Sequence, residues 1–227
     1  MPAMNLLDMR GAYGGAISLA WDVLVAPVLL GCYAERWDAV AGPDALAPGM
    51  RVLDVGCGTG GLVALLAARH PRSSFVGVDL SEVMLDRAWR RHGGLPNLRL
   101  VRGDAMRLPL PDGAFDVVLS LASIKHWPEP GRGVRELLRV LSPGGRAFVM
   151  EADREAPREV AARFVARFRA APAPLRWLMT EYLVRVVIAQ GLSAATLAAH
   201  LHAAGFGDVA AERLTDLPGV VASGRRR

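Results

Sequence analysis

Lysine and cysteine are almost absent from this chain of 227 residues. Lys125 is the single lysine among many arginines, a bias that, together with frequent alanine, is typical of a GC-rich genome. The two cysteines, Cys32 and Cys57, are too few for a disulfide framework, and no Cys-x-x-Cys pair is present. These absences argue against a disulfide scaffold and against a zinc site, and we expect no bound metal.

A long uncharged apolar run is also lacking. The stretch 16–34 comes nearest, but it contains Asp22 and Pro27, and a charge near the middle of a membrane span is costly. We therefore interpret it as two short amphipathic helices. The first residues lack the charged, apolar and cleavage regions of a secretory leader. These features predict a cytoplasmic protein without membrane insertion.

The positive charge is not concentrated in one place. The net charge is +5 and the pI is about 10.0, which raises the question of a nucleic-acid partner. The arginines, however, are mixed with acidic residues along the chain, and the one dense run, Arg225–Arg227, is terminal. We expect no nucleic-acid partner, and the pattern does not indicate an oligomeric state.

Short apolar segments alternate with helical segments from residue 51 to residue 152. This alternation predicts an α/β fold, with a parallel sheet that has helices on both faces and binds ligands at the carboxyl ends of its strands. Predicted strands are 51–56, 74–79, 97–104, 115–122 and 146–152. Predicted helices are 62–69, 82–91 and 131–141. Later residues predict helices over 154–190 and 194–204, then short strands near 208–214 and 220–223.

The segment "LDVGCGTGG" follows the first predicted strand. Gly56, Gly58 and Gly60 allow a tight turn and a close approach of the backbone to a ligand, with free N–H groups on the following helix. The loop alone also fits a βα turn without a ligand. Gly56, Gly58 and Gly61 moreover satisfy the dinucleotide pattern, so a nicotinamide-dependent dehydrogenase stays open at this point.

Three acidic residues stand at the ends of three predicted strands. Asp79 lies about 20 residues beyond the loop, where a carboxylate can accept both hydroxyls of a ribose. Asp104 is placed to accept a hydrogen bond from an adenine amino group. Asp54 is placed to face a ligand ammonium, the alternative being a carboxylate bonded to nearby backbone N–H groups. Three acids suit a partly cationic ligand better than a pyrophosphate.

Several segments resemble the class I S-adenosylmethionine-dependent methyltransferases. These are "VLDVGCGTG", "VGVDLSEVMLDRA", "LVRGDAMRLPLPDGAFDVVLS" and "LLRVLSPGG", and they extend over about residues 50–152. The chain is most similar to the broad small-molecule group that includes the ubiquinone and menaquinone methyltransferases. The resemblance implies S-adenosylmethionine as cofactor and S-adenosylhomocysteine as product. It also implies a Rossmann-like sheet of seven strands, mostly parallel, with the last strand antiparallel.

The resemblance implies which residues bind the cofactor. The glycine loop would hold its methionine part, Asp79 its ribose, and the residues after the second and third strands its adenine. The implied binding residues are Asp54, Gly56, Cys57, Gly58, Gly60, Asp79, Leu80, Met84, Asp104, Ala105, Ser120 and Leu121. We predict one domain, with an N-terminal helical cover over 1–48, a cofactor-binding core over 49–153, a helical insertion over 154–191, and the end of the core over 192–227.

Candidate catalytic residues lie in "SIKHWPEP", after the fourth strand. His126 is a candidate base, and its alternative is a structural histidine that shapes the loop. Lys125 replaces the first member of a pair common in the family, so it is a candidate base or anion holder, or else a solvated lysine. Tyr13, in the N-terminal cover, is a third candidate. Trp127 is expected to pack under the proline turn.

Further residues surround this candidate site. Glu151 and Asp153 end the fifth strand on its rim, unless they form a solvated or salt-bridged pair. Arg154, Arg158, Arg163 and Arg167 predict a solvated helix face, or a clamp for an anionic substrate.

We expect methyl transfer to a small-molecule acceptor, to O or N, by direct displacement. The segment "SLASIKHW" lacks the Asn/Asp-Pro-Pro-aromatic tetrad of methyltransferases that act on amino groups of bases or glutamine. The alternatives are an NAD(P)-binding oxidoreductase and a non-methylating S-adenosylmethionine-binding protein.

Overall fold

The computed structural model describes residues 46–169 and 171–227. Seven strands form one sheet in the order β3-β2-β1-β4-β5-β7-β6. The strands are β1 Arg51–Val55, β2 Ser74–Asp79, β3 Leu98–Arg102, β4 Phe115–Leu121, β5 Leu141–Ala152, β6 Gly207–Arg213 and β7 Gly219–Arg225. The pairs among β1 to β5 are parallel, and β7 is antiparallel to both β5 and β6. The predicted α/β fold, with an antiparallel last strand, is confirmed.

Six α-helices are described. They are α1 Gly61–Arg69, α2 Glu82–His92, α3 Pro130–Val140, α4 Arg158–Val165, α5 Ala173–Tyr182 and α6 Ala194–Ala204. A 3₁₀ turn at Ile124–His126 precedes α3, and a π-helix at Leu183–Ile188 continues α5. The hydroxyls of Ser81 and Ser193 accept backbone N–H bonds at the starts of α2 and α6, which is why both helices begin where the sequence predicts.

Alternate residues of β1 pack into different layers of the core. Leu53 belongs to a buried cluster with Leu137 of α3 and Leu201 of α6. Val52 belongs to a second cluster with Leu66 of α1. Successive side chains of a strand point to opposite faces, so both faces of the sheet are covered by helices, as predicted.

The fifth strand differs most from its prediction. It begins at Leu141, not at residue 146, because Leu141 already pairs with Phe115 of β4. The next pair joins Val117 to Arg146, so the turn-forming residues 142–145 bulge out of the ladder without ending the strand. The third strand is shorter than predicted because Asp104 begins a turn, in which its Oδ1 accepts the Met106 N–H and its carbonyl accepts the Arg107 N–H.

Some predictions concern residues outside the described ranges. The N-terminal cover up to residue 45, including Tyr13, Cys32 and the stretch 16–34, is among them, so its predicted role stays a prediction. No helix within 46–169 and 171–227 combines the length and apolar character needed to cross a membrane. The region predicted as a helical insertion contains α4, α5 and the π-helix.

Candidate functional site

The glycine loop is held tightly between β2 and the segment after β4. The N–H groups of Gly56 and Cys57 donate to the Val78 carbonyl, at 2.8 and 3.0 Å. Gly56 has φ of 77°, and a Cβ there would lie 1.9 Å from Ser123 Oγ. Only glycine therefore fits between β1 and the turn that contains Ser123.

The outer side of the same loop is open. A Cβ added at Gly58 would meet no atom of the described residues within 4 Å. Gly60 is the N-cap of α1 with φ of 75°, and within 46–169 and 171–227 no side-chain cap bond is made at this position. Open space beside uncapped N–H groups is what a loop that binds a ligand requires.

Asp54 is buried at the end of β1, with 2% of its surface exposed. Its Oδ1 atom has no hydrogen-bond partner within the described structure. Burial, and secondarily the charge of Asp79, raises the pKa of this carboxyl from 3.8 to about 7. The alternative in which backbone N–H groups satisfy the Asp54 carboxylate is not supported for Oδ1. A buried carboxyl with one oxygen unpaired among the described residues, beside an open loop, fits a ligand that carries positive charge.

Asp79 fastens the loop to the start of α2. Its Oδ2 accepts the Gly58 N–H at 2.8 Å, and its Oδ1 accepts the Ser81 N–H at 2.8 Å. Burial raises the pKa of Asp79, while these hydrogen bonds oppose the increase. Each carboxylate oxygen retains a further lone pair, so ribose hydroxyls can still be accepted. The adjacent Leu80 is 63% exposed, so its side chain offers an apolar surface beside Asp79.

The residues predicted around adenine differ in exposure. Asp104 and Ala105 are half-buried, and Asp104 Oδ1 accepts the Met106 N–H at 2.9 Å. Met84, in contrast, is a buried core residue that exposes only 6% of its surface. Asp104 thus lies at the carboxyl end of β3, next to the end of β2, whereas Met84 presents little surface to a ligand.

The end of β4 leads into a strained turn. Ser120 is buried, and its hydroxyl oxygen has no partner in the described structure. Leu121 packs partly against the core, and Ala122 has φ of 52°, which is unusual for a residue with a Cβ. Trp127 is buried against Gly133, where an added Cβ would lie 2.3 Å from the indole. Trp127 therefore packs beneath the turn, as predicted.

Lys125 and Glu151 form a buried ion pair between the ends of β4 and β5. Lys125 Nζ lies 2.6 Å from Glu151 Oε1, and the two side chains expose 10% and 0% of their surfaces. The alternative of a solvated Lys125 is therefore wrong. His126 follows directly, and its pKa is lowered from 6.5 to about 4, by burial first and by the Lys125 charge second. The His126 imidazole is consequently neutral at physiological pH.

The two strand-end acids are both buried and salt-bridged, so the salt-bridged alternative is confirmed and the solvated one is wrong. Glu151 pairs with Lys125, and Asp153 Oδ2 accepts a hydrogen bond from Arg213 Nε of β6 at 2.6 Å. The partnership of Glu151 with Lys125 was not predicted from the sequence. The only signal for it is that the two residues follow the ends of strands that turn out to be adjacent.

The four arginines after β5 are all exposed, as the prediction of a solvated face has it, although only Arg158 and Arg163 lie on α4. Arg158 pairs with Glu181 of α5, and Arg167 with Asp216 at 3.4 Å. A cavity of about 250 Å³ lies between α4 and α5. It is lined by Arg158, Ala162, Val165, Ala166, Arg176, Trp177 and Thr180. Among the described residues, no group of His, Cys, Asp and Glu is arranged to hold a metal ion.

Comparison with known proteins gives a family match over about two fifths of the chain. Residues 53–149 match the family described as "Methyltransferase domain". This match supports a class I S-adenosylmethionine-dependent methyltransferase domain over these residues. S-adenosylmethionine is the cofactor of this family, and the matched residues of the methyltransferase domain begin in β1 and end in β5.

Three similar proteins illustrate the relationship. A demethylmenaquinone methyltransferase of Deinococcus radiodurans is 37% identical over 138 residues, which are 60% of this chain and 57% of the relative. The phthiotriol/phenolphthiotriol dimycocerosates methyltransferase 1 of Mycobacterium ulcerans is 40% identical over 113 residues, or 50% and 41%. A SAM dependent methyltransferase structure from Aquifex aeolicus has a TM-score of 0.61 at 20% identity and covers 84% of this chain and 89% of its own.

The two sequence relatives extend well beyond the matched part. This chain spans about half the length of the curated relatives that it matches. The Aquifex structure covers most of both chains and supports the fold alone. Activity, acceptor and partners therefore have to be argued from the site.

Proposed function

We propose that this protein transfers a methyl group from S-adenosylmethionine to an oxygen or nitrogen atom of a small-molecule acceptor, by direct displacement. The observation that carries the proposal is the buried Asp54, whose Oδ1 has no partner among the described residues, beside an open glycine loop at the carboxyl ends of the parallel strands. When bound, S-adenosylmethionine supplies a methyl group that its sulfonium has already activated.

Asp54 and Asp79 have complementary roles in this proposal. Asp54 would ionise when it meets the positive charge of the ligand, which satisfies the buried oxygen. Asp79 would hold the ribose hydroxyls while it fixes Gly58. Further proposed binding residues are Gly56, Cys57, Gly60, Leu80, Met84, Asp104, Ala105, Ser120 and Leu121.

His126 is the proposed acceptor-side residue. Its neutral imidazole can accept a proton or a hydrogen bond from the acceptor, since its pKa of about 4 keeps a ring nitrogen unprotonated. The same low pKa makes it a weak base, so it suits an acceptor whose proton becomes acidic during transfer. Tyr13 remains a proposed participant outside the described residues. The names of the two sequence relatives support a small-molecule acceptor.

Isothermal titration with S-adenosylmethionine and S-adenosylhomocysteine tests the proposal. Both should bind, and Asp79→Ala should remove most of the affinity, whereas Asp86→Ala, an exposed acid on α2, should not. Absence of binding at high micromolar ligand would refute the proposal. Fluorescence of bound NADH would instead indicate an oxidoreductase. Binding without turnover in a broad acceptor screen would indicate a non-methylating binding protein.

A further inference from the structure

The Lys125–Glu151 pair is built into the backbone as well as between side chains. Glu151 Oε1 accepts bonds from Lys125 Nζ at 2.6 Å and from the Ala152 N–H at 2.7 Å. Glu151 Oε2 faces the Lys125 backbone N–H at 3.4 Å. The Glu151 carboxylate therefore contacts both the ammonium group and the backbone N–H of Lys125. The Ala152 N–H fixes the position of the carboxylate itself.

The ammonium group has a second partner in the turn. Lys125 Nζ donates to the Ala122 carbonyl at 3.2 Å. Ala122 is one of the two residues other than glycine that have positive φ in the described chain. Such a backbone conformation is costly for alanine and persists only where the surroundings hold it. The Lys125 ammonium supplies one of the bonds that hold it.

The same turn forms one wall of the glycine loop. Ser123 follows Ala122, and its hydroxyl occupies the position that a Cβ on Gly56 would need. Trp127 Nε1 donates to that hydroxyl at 3.0 Å, so the far end of the turn is also anchored. A shift of Ala122 would move Ser123, and with it the surface on which Gly56 rests.

We propose that Lys125 and Glu151 are a positioning pair that holds the turn 122–126 against the glycine loop in the geometry that binds the cofactor. The inference rests on the proposed function. It gives Lys125 a different role from that of a base, because its ammonium is already shared between a carboxylate and a carbonyl. His126 is the last residue of this turn, so the ion pair also sets the position of His126.

A single and a double substitution distinguish a role of the ion pair in positioning the turn 122–126 from a role in stability alone. Lys125→Met leaves the buried Glu151 charge without its partner, so thermal stability should fall. Lys125→Met/Glu151→Met removes both charges, so the melting temperature should recover towards wild type. Ala122 is still untethered in the double variant, so its affinity for S-adenosylhomocysteine should stay about tenfold weaker, the loss expected for one charged hydrogen bond.

Arg51 and Asp116 provide the matched control. They form a 2.7 Å ion pair where β1 and β4 begin, whereas the glycine loop lies at the carboxyl end of β1. Arg51→Met/Asp116→Asn should leave the affinity for S-adenosylhomocysteine unchanged below the melting temperature. Should Lys125→Met fail to fold, the double variant and Glu151→Gln supply the same comparison.

The outcomes distinguish this inference from the proposed function. Wild-type affinity in a folded Lys125→Met/Glu151→Met variant would overturn the positioning role while leaving the proposed function intact. An equal loss of affinity in the Arg51 and Asp116 control would also overturn it. A wild-type protein that does not bind S-adenosylhomocysteine would overturn the proposed function first, and the inference with it.

Discussion

Asp54→Asn should make the ligand-free protein more stable than the wild type at alkaline pH, while it weakens cofactor binding at least tenfold. The folded pKa of Asp54 is raised from 3.8 to about 7, so the folded state retains a proton that the unfolded state has lost. Stability is therefore fully present at low pH and declines as the pH rises through this interval. An asparagine has almost the same shape and carries no charge, so it escapes the decline.

The magnitude follows from the two pKa values. Between about pH 5 and pH 8 the wild type should lose about 2.5 kcal/mol because of Asp54 alone. For a chain of this size, that loss corresponds to roughly 5–10 °C in melting temperature. The asparagine amide would also lack some hydrogen-bond partners, which lowers the free energy of unfolding of the variant at every pH. It does not make that free energy depend on pH.

Thermal unfolding of wild type, Asp54→Asn and Asp86→Asn without cofactor provides the assay. The melting temperature of Asp54→Asn should change less than that of the wild type across this pH interval, and the exposed Asp86 control should follow the wild type. Titration with S-adenosylmethionine should show at least a tenfold loss of affinity in Asp54→Asn, since a charged hydrogen bond is removed. Parallel pH profiles for wild type and Asp54→Asn would refute the assignment of a raised pKa to Asp54.

Three further predictions concern neighbouring contacts. Gly56→Ala should destabilise the protein and weaken cofactor binding because its Cβ would lie 1.9 Å from Ser123 Oγ, and Ser123→Gly should partly restore both, as measured by thermal unfolding and titration. Between pH 7 and pH 5, the free energy of unfolding should fall by about 2 kcal/mol less in His126→Gln than in the wild type. The reason is that the folded His126 pKa of about 4 lies below its ordinary 6.5, so the unfolded state gains the proton first as the pH falls; urea unfolding at both pH values measures the effect. Arg213→Met should cost about 1–3 kcal/mol in urea unfolding because it leaves the Asp153 carboxylate, which is 3% exposed, without its charged partner, whose own side chain is 44% exposed.

The sequence predicts local structure best where its signals are local. The strand Ser74–Asp79 and the helix Ala194–Ala204 begin and end where expected, because an apolar alternation, a serine cap and Gly205 act within a few residues. The beginning of β5 at Leu141 depends on pairing with Phe115, which lies on another strand. The 3₁₀ turn and the π-helix have no signal of comparable strength.

The candidate site divides in the same way. The glycine loop and the carboxylates after β1, β2 and β3 are predictable, because consecutive strands place them at one edge of the sheet. The partner of Lys125 is not, since Glu151 is 26 residues away and only the adjacency of β4 and β5 brings them together. The unpartnered Oδ1 of Asp54 likewise depends on what surrounds it in three dimensions.

A crystal structure with S-adenosylhomocysteine tests the central claim most directly. We predict that the ligand lies across the carboxyl ends of β1 and β2, with its ribose hydroxyls on Asp79 and its amino-acid part beside Asp54 and the glycine loop. Its sulfur should face the turn that contains Lys125 and His126. A ligand bound elsewhere, or one whose ribose does not contact Asp79, would contradict the account.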